Sequence, residues 1–162
     1  MAPTNNEFQT NTALMDLSDT ARLGARIAAG LGPGCAVALM GDLGAGKTAL
    51  ARTILEALGI VETVPSPTFT IVQQYETAHF PVRHYDLYRI EDSRELNELG
   101  LDEALDEGAV LIEWPEKAES VLPEDNLRVH LTIIGETARN AAITGPARWA
   151  KILQPPEGAH ER

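Results

Sequence analysis

One short stretch of the chain has residue types and a spacing that suit the binding of phosphate groups. Residues 41–48 read GDLGAGKT and match G-x-x-x-x-G-K-[ST] at every defined position. Glycines let backbone N–H groups approach phosphate oxygens, and the Lys47 ammonium is a mobile charge for the terminal phosphates. The Thr48 hydroxyl is a suitable ligand for Mg²⁺. The stretch therefore predicts a nucleoside triphosphate site with these contacts: Asp42, Leu43, Gly44, Ala45, Gly46, Lys47 and Thr48.

The segments on either side of this loop have the order that such a site requires. Residues 36–40 are a continuous apolar run, which predicts a buried strand. Downstream, residues 50–58 carry the apolar stripe of an amphipathic helix, and Gly59 is placed to end it. A strand, a glycine loop and a helix in this order direct a helix N-terminus at an anion. A chance match of a glycine-rich turn is the alternative, and the agreement of all three segments argues against it.

Two acids that end predicted strands are candidates for the metal side of the site. Residues 109–112 are apolar and lead into Glu113, as in a Walker B element, whose acid holds Mg²⁺ opposite the loop hydroxyl. Asp86, in a predicted strand over 82–88, could hold the metal through water or position the attacking water. A surface acid is the alternative for Glu113, and composition does not rank the two acids. His84, on the same strand face as Asp86, indicates no role by itself.

A proline-rich segment precedes the next predicted strand. Residues 65–68 read PSPT, and two prolines within three residues favour a stiff, extended backbone. Thr68 is the candidate for a switch threonine that becomes ordered on the γ-phosphate and its metal. An ordinary loop into an edge strand fits the spacing equally well.

Composition limits the class of protein. The chain has 162 residues and a net charge of −11, so we expect one domain and no broad, direct contact with a nucleic acid backbone. No apolar run approaches 18 residues, and residues 1–12 resemble neither a secretory signal nor a transit peptide. The single cysteine, Cys35, excludes an internal disulfide and a cysteine metal site. These features predict a cytoplasmic protein that does not cross a membrane.

Acidic residues are concentrated in one stretch. Residues 91–107 contain eight carboxylates and one base, Arg94. A solvated helical surface is the simpler interpretation, and a docking face for a basic partner protein is the alternative.

The remaining segments predict the elements that position the site. Residues 1–15 indicate a flexible arm, and a helix capped near Ser18 and Asp19 follows it. Alternating residues over 127–133 and a return over 139–144 predict a hairpin, and 154–162 indicate a flexible tail. The fold expected is α/β: one P-loop NTPase-like domain over 16–153, with a mixed, mainly parallel sheet flanked by helices and a C-terminal β-hairpin.

Four motifs together resemble one known family. They are GDLGAGKT (41–48), SPTFT (66–70), HYDLYR (84–89) and IEWPE (112–116), in this order. Over about residues 17–144 the chain resembles the TsaE family, small bacterial P-loop ATPases of tRNA threonylcarbamoyladenosine synthesis. The loop alone is shared by many families, whereas the four motifs in order are specific. Tyr85 stands where phenylalanine is common in the family, and the N-terminal region offers no sharp motif.

The resemblance implies an ATPase that uses ATP and Mg²⁺ in a complex with the TsaB and TsaD proteins. The partners would contact tRNA, so this chain would act on it only indirectly. Lys47 and Thr48 would bind phosphate and metal, and Glu113 would be the Mg²⁺ ligand. The resemblance also implies that Asp86 is a second acid near the phosphates and that Trp114 lies beside the metal. Ser66 and Thr68 would belong to a switch-like segment.

Three other functions are alternatives to this one. A small-molecule kinase would share the loop but usually needs an arginine-rich lid, and the arginines after residue 89 are scattered. A GTPase would need an Asn-Lys-x-Asp motif, which the sequence lacks, so ATP is favoured over GTP. A binding module that uses slow hydrolysis as a timer is compatible with every motif. Lys47, Asp86 and Glu113 remain the candidate catalytic residues in the ATPase interpretation.

Overall fold

The computed structural model of the chain describes residues 7–61 and 71–153. Seven strands form one sheet: β1 (Glu7–Leu14), β2 (Ala36–Met40), β3 (Val72–Glu76), β4 (Pro81–Asp86), β5 (Ala109–Glu113), β6 (Leu127–Ile133) and β7 (Arg139–Pro146). The α-helices are α1 (Leu17–Ala29), α2 (Lys47–Ala57), α3 (Leu101–Glu107) and α4 (Trp149–Leu153). Two 3₁₀ helices cover Ser93–Leu99 and Pro115–Ala118.

The sheet is mixed, with parallel strands at its centre. The strand order is β1-β7-β6-β2-β5-β4-β3, and the four strands from β6 to β4 are parallel. The pairs β1–β7, β6–β7 and β3–β4 are antiparallel. The predicted α/β class, the largely parallel centre and the C-terminal hairpin (β6 and β7) are confirmed.

Helices cover both faces of this sheet. On one face α1, α2 and α4 enclose the larger core, and on the other α3 and the 3₁₀ helices enclose a smaller one. The central strand β2 is inaccessible to solvent at Val37, Ala38 and Leu39, which explains its continuous apolar sequence. No described helix combines the length and the apolar character needed to traverse a lipid bilayer.

The carboxyl ends of the parallel strands meet at one edge of the sheet. The glycine loop follows β2, and the last residues of β5 and β4 are Glu113 and Asp86. Register pairs Glu113 with Leu39 on one side and with Asp86 on the other. Because parallel strands end at a common edge, the topology brings the loop and both acids together.

Residues 7–14 form a strand, so the prediction of a flexible arm over 1–15 is wrong for them. All eight residues of β1 pair with β7 at the edge of the sheet. Phe8 and Leu14 are buried, whereas Gln9, Asn11 and Ala13 are exposed. A half-buried edge strand needs few apolar residues, and this polar sequence therefore resembled an arm. Residues 1–6 and the predicted tail, 154–162, lie outside the described residues.

The first helix begins earlier than the sequence predicted. Asp16 is its N-cap, and its Oδ1 accepts a hydrogen bond of 3.1 Å from the backbone N–H of Asp19. Asp16, which directly precedes the helix, therefore caps it, whereas Ser18 and Asp19 lie in the first turn. The start of α1 lies near the glycine loop, because residues of both segments line one cavity.

Candidate functional site

The glycine loop has a backbone that side chains would obstruct. Gly41 has φ 145°, and a Cβ there would lie 2.6 Å from the carbonyl oxygen of Leu131. Gly46 has φ 105° and is the N-cap of α2, where no side chain caps the helix. The loop therefore packs against β6 and leaves the N-terminus of α2 open toward the site.

Lys47 is buried at the start of α2, with 5% of its surface exposed. Its Nζ donates to the carbonyl oxygen of Gly41, lies 3.4 Å from that of Asp42, and is 3.7 Å from the ring centroid of Trp114. Burial lowers the pKa of Lys47, and the nearby carboxylates, Glu113 first among them, oppose this shift. The ammonium is thus held inside the loop, where a phosphate could replace its carbonyl partners.

Glu113 connects the loop to the neighbouring strand. The Thr48 hydroxyl shares its proton between the two carboxylate oxygens of Glu113, at 3.0 and 2.9 Å. His84 Nε2 lies 2.7 Å from Glu113 Oε2, and both side chains are buried. With Glu113 ionised, Nε2 must carry the proton, because the carboxylate can only accept. His84 Nδ1 has no hydrogen-bond partner among the described residues, so this one bond orients the ring.

The Thr48 and Glu113 pair fits a hard divalent cation. Both groups offer oxygen atoms, the ligands that Mg²⁺ prefers, and they already face each other across the strand–helix junction. Among residues 7–61 and 71–153, no group of three or more histidine, cysteine and acidic side chains could hold a metal. A metal at Thr48 and Glu113 would thus need further ligands from phosphates and water, which is the usual mode for Mg²⁺.

Asp86 is the second acid at this edge. It stands opposite Glu113 in the register of β4 and β5, and its Oδ1 accepts a 3.0 Å hydrogen bond from the N–H of Tyr88. Burial raises the pKa of the Asp86 carboxyl, and the charge of Glu113 adds to the shift. Such a carboxyl is a stronger base than an ordinary aspartate once it is ionised.

Trp114 follows Glu113 in a backbone conformation that is unusual for its type. Its φ and ψ are 62° and 51°, and it is the one non-glycine residue with positive φ in the described part of the chain. Its ring lies over the Lys47 ammonium and 5.0 Å from the ring of Tyr88. Positive φ costs a bulky residue of order 1 kcal/mol or more, and such outliers concentrate at functional sites.

Two adjoining cavities surround the loop. The first, about 290 Å³, is lined by Lys47, Thr48, Asp86, Glu113 and Trp114 together with loop residues. The second, about 530 Å³ and mostly apolar, lies between the start of α1, the loop and the hairpin. Gly46 and Ala49 line both cavities. One polar and one apolar compartment joined at the loop match the two ends of a nucleotide.

Two residues of the apolar cavity were absent from the predicted site. Arg139 of β7 donates to the carbonyl oxygens of Ala45, at 3.1 Å, and Gly44, at 3.3 Å. Thr20 of α1 lines the same cavity. Neither belongs to a local motif, because the hairpin and α1 approach the loop only in the folded sheet. The sequence signal available was weak: a helix placed before the phosphate-binding strand.

The predicted site residues divide into three groups. The structure brings together Lys47, Thr48, Asp86, Glu113 and Trp114 around the polar cavity, with Leu43 and Gly44 beside them. Asp42 and Ala45 line a third hollow on the hairpin side of the loop. Ser66 and Thr68 lie outside the described residues, so the switch segment stays a prediction. The roles in binding and catalysis also stay predictions at this stage.

Known proteins resemble this chain over most of its length. A family model described as "Threonylcarbamoyl adenosine biosynthesis protein TsaE" matches residues 14–141. The tRNA threonylcarbamoyladenosine biosynthesis protein TsaE of Rickettsia bellii is 39% identical over 138 residues, which cover 85% of this chain and 96% of that protein. The Bacillus subtilis protein of the same name is 39% identical over 122 residues, covering 75% of this chain and 76% of its own.

A solved structure agrees with these sequence relatives. The crystal structure of YdiB from Bacillus subtilis superposes with a TM-score of 0.75 and 30% identity, covering 90% of this chain and 92% of that one. The family match spans the loop, both acids and the start of the hairpin. On these grounds the chain belongs to the TsaE family of threonylcarbamoyladenosine biosynthesis proteins.

Proposed function

We propose that this chain is a Mg²⁺-dependent ATPase required for the threonylcarbamoyladenosine modification of the tRNA adenosine next to the anticodon, and that it supports turnover of the TsaB–TsaD transferase. The observation that carries the proposal is the convergence of Lys47, Thr48 and Glu113 on one cavity beside the glycine loop. Membership of a threonylcarbamoyladenosine biosynthesis family supplies the biological context.

The phosphates of ATP would lie along the loop. Backbone N–H groups from 42 to 48 and the Lys47 ammonium would contact the β- and γ-phosphates, since Lys47 is already held within the loop. Thr48 and Glu113 would hold Mg²⁺, which would neutralise charge that develops on the phosphate oxygens. Asp86, the other acid in this cavity, would orient the attacking water.

The nucleoside would occupy the larger apolar cavity. Its walls include Leu14, Leu17, Ala49 and Leu131, which offer apolar contact to a planar base. Thr20 and Arg139 supply polar groups at its edge. Together with the absence of a guanine-recognition motif in the sequence, this lining supports adenine as the base.

Partner proteins would dock through charge as well as shape. The acidic stretch 91–107 covers the 3₁₀ helix at Ser93–Leu99 and α3, where Leu101 and Ala104 are buried while the acids Asp102, Glu103, Asp106 and Glu107 are exposed. Such a surface suits a basic partner and repels tRNA. If TsaB and TsaD use it, the complex with this chain should weaken as salt rises.

Reconstituted modification of tRNA tests the proposal. TsaB, TsaD, a threonylcarbamoyl donor and tRNA should give multiple turnovers only when this chain and ATP are added. Lys47→Ala should reduce that stimulation to background, and free phosphate should be the product of ATP. Full turnover without the chain would contradict the proposal. Transfer of the γ-phosphate to a small molecule would instead establish the kinase alternative.

A further inference from the structure

We propose that Arg89 is a further catalytic residue, whose guanidinium contacts the γ-phosphate of ATP and compensates the charge of the transition state. This inference rests on the proposed ATPase function and deepens it. In hydrolysis a water oxygen bonds to the γ-phosphorus, and the bond from that phosphorus to the β–γ bridging oxygen breaks. The products are ADP, phosphate and one proton, which passes to solvent, and the charge of Arg89 stays unchanged throughout.

Arg89 differs from the other arginines because it has no interaction partner within the described part of the chain. Its side chain is exposed, although the protein carries a net charge of −11 and eight carboxylates follow within 18 residues. Every other described arginine has a partner; these are Arg22, Arg26, Arg52, Arg83, Arg94, Arg128, Arg139 and Arg148. An arginine left unpaired in so acidic a protein is available for a ligand.

The backbone around Arg89 is held by hydrogen bonds beside the sheet edge at which the parallel strands end. Leu87 donates its N–H to the carbonyl oxygen of Glu113 at 3.1 Å, and Ile90 donates to that of Leu87 at 3.0 Å. Leu87 and Ile90 are both buried, which anchors the turn on each side of Arg89. Lys117 Nζ donates to the carbonyl oxygen of Ile90 at 3.0 Å. A rigid turn with a free side chain is the arrangement that an inserted arginine requires.

A small cavity connects this turn to the phosphate site. Arg89 lines a hollow of about 170 Å³ together with Ile71 and Tyr88. Its other walls are Leu43, Asp86 and Trp114, which also line the phosphate cavity. The cavity that Arg89 lines therefore adjoins the phosphate cavity, which places this arginine beside the phosphate site.

Charge balance in the phosphate cavity calls for a second cation from the protein. Among the described residues that line it, Lys47 is the one cation, and Asp86 and Glu113 are both acids. A triphosphate adds several further negative charges, which Mg²⁺ offsets only in part. Arginine is the residue best suited to a terminal phosphate because its planar fork binds two oxygens and remains charged. Arg89 lies three residues from Asp86 along the chain and lines the cavity next to the phosphate cavity.

The test compares Arg89→Ala and Arg89→Lys with Arg94→Ala, an exposed arginine nearby that pairs with Asp92. Three quantities are measured on the full chain: kcat, the Kd for Mg²⁺–ADP, and the Kd for Mg²⁺–ADP with aluminium fluoride, which mimics the transferring phosphoryl group. Arg89→Ala should lower kcat on the order of 10³-fold, as for other phosphoryl-transfer arginines. It should weaken aluminium fluoride complex binding on the order of 100-fold and change the Kd for ADP less than about 3-fold.

The outcomes separate a catalytic arginine from other roles. Arg89→Lys should be intermediate, and Arg94→Ala should match the wild type in all three quantities. Unchanged aluminium fluoride binding in Arg89→Ala would overturn the proposal, even if that variant bound a partner protein more weakly. A wild-type chain that neither hydrolyses ATP nor binds the aluminium fluoride complex would overturn the ATPase proposal, and the role of Arg89 with it.

Discussion

The Glu113 carboxylate holds together three parts of the site. It accepts hydrogen bonds from Thr48 on α2 and from His84 on β4. It also directly precedes Trp114, which has a positive φ. A buried charge is tolerated only when its oxygens are satisfied. The network therefore stabilises the fold and also orients the proposed metal ligand, so its variants should affect both stability and Mg²⁺ binding.

His84 is expected to position Glu113. His84→Ala leaves a buried carboxylate with one partner fewer and creates a cavity, so we expect a loss of about 2–4 kcal/mol in the free energy of unfolding. The apparent affinity for Mg²⁺ in the presence of ADP should fall by about 10-fold. Urea denaturation and Mn²⁺ binding followed by electron paramagnetic resonance measure the two effects.

The conservative and control variants decide whether His84 does more than pack. His84→Gln retains an N–H donor and should recover part of the metal affinity. His79→Ala, at an exposed position in the β3–β4 turn, should change neither quantity. Reduced stability with unaltered metal affinity in His84→Ala would show a purely structural role.

Asp86 should give the protein a pH-dependent stability of known sign. Its pKa is raised in the folded state, so ionisation costs folding free energy above that pKa and nothing well below the unfolded value of about 3.9. Asp86→Asn should therefore raise the melting temperature at pH 7. The corresponding gain in the free energy of unfolding should be at most about 1 kcal/mol, because the group is only partly buried. The difference should shrink as the pH falls and vanish only well below the unfolded pKa of about 3.9.

The same substitution separates stability from activity. If Asp86 orients the attacking water in its ionised form, Asp86→Asn should lower kcat while raising the stability of the protein. The activity of the wild type should decrease as the pH is lowered through the raised pKa of Asp86. Asp92→Asn is the control of opposite sign, since hydrogen bonds from Arg94 lower the pKa of Asp92. A less stable Asp86→Asn protein at pH 7 would contradict this account.

At the scale of elements, the site depends on how α1 packs against α2. A Cβ on Gly24 would lie 1.9 Å from Thr53 Oγ1 and 3.0 Å from the Thr53 carbonyl carbon. The two helices can approach this closely only because Gly24 has no side chain. This approach places the start of α1, with Leu17 and Thr20, beside the loop.

Gly24→Ala should therefore destabilise the protein, although alanine favours helix formation by about 1 kcal/mol. We expect a net loss of about 1–3 kcal/mol by urea denaturation, together with weaker ATP binding, because the helices must separate. Adding Thr53→Ala removes the nearest atom and should restore part of the stability. Gly32→Ala, where an added Cβ meets no atom within 4 Å, is the matched control. Equal stability of Gly24→Ala and wild type would refute the close packing.

The sequence predicted those elements whose signals are local. The strand over 36–40, the loop and the helix after it, and the acid that ends 109–113 depend on neighbouring residues, and all are observed. By contrast, β1 is stabilised by pairing with β7, more than 120 residues away in the chain, and buries only Phe8 and Leu14 among its well-described side chains. No local pattern could have indicated it.

The site was predictable to the same extent. Lys47, Thr48, Asp86 and Glu113 belong to motifs and meet at the edge of the sheet, as parallel strand ends require. The bond from His84 to Glu113 depends on the β4–β5 register, and that of Arg139 to the loop depends on the hairpin. Both are contacts between segments that are distant in the chain, and a single sequence does not indicate which distant segments meet.

At the scale of the whole molecule, the charge of −11 disfavours direct binding of this chain to tRNA. Counterion release favours nucleic acid binding only when basic groups neutralise phosphates, and this surface is predominantly acidic. The isolated chain should bind tRNA with a Kd weaker than about 100 μM in 150 mM salt, as measured by fluorescence anisotropy. Submicromolar binding would contradict the view that partner proteins hold the tRNA.

The proposed role of Lys47 and Glu113 is that both are parts of one Mg²⁺–ATP hydrolysis site. Binding and single-turnover hydrolysis of ATP, measured together with excess chain, test it most directly. Lys47→Ala should weaken ATP binding on the order of 100-fold. Glu113→Gln should bind ATP within about 10-fold of wild type and hydrolyse it on the order of 100-fold more slowly, because the proposed metal ligand loses its negative charge. Glu116→Gln, an exposed acid three residues on, should match the wild type. Normal hydrolysis by Glu113→Gln would contradict the account.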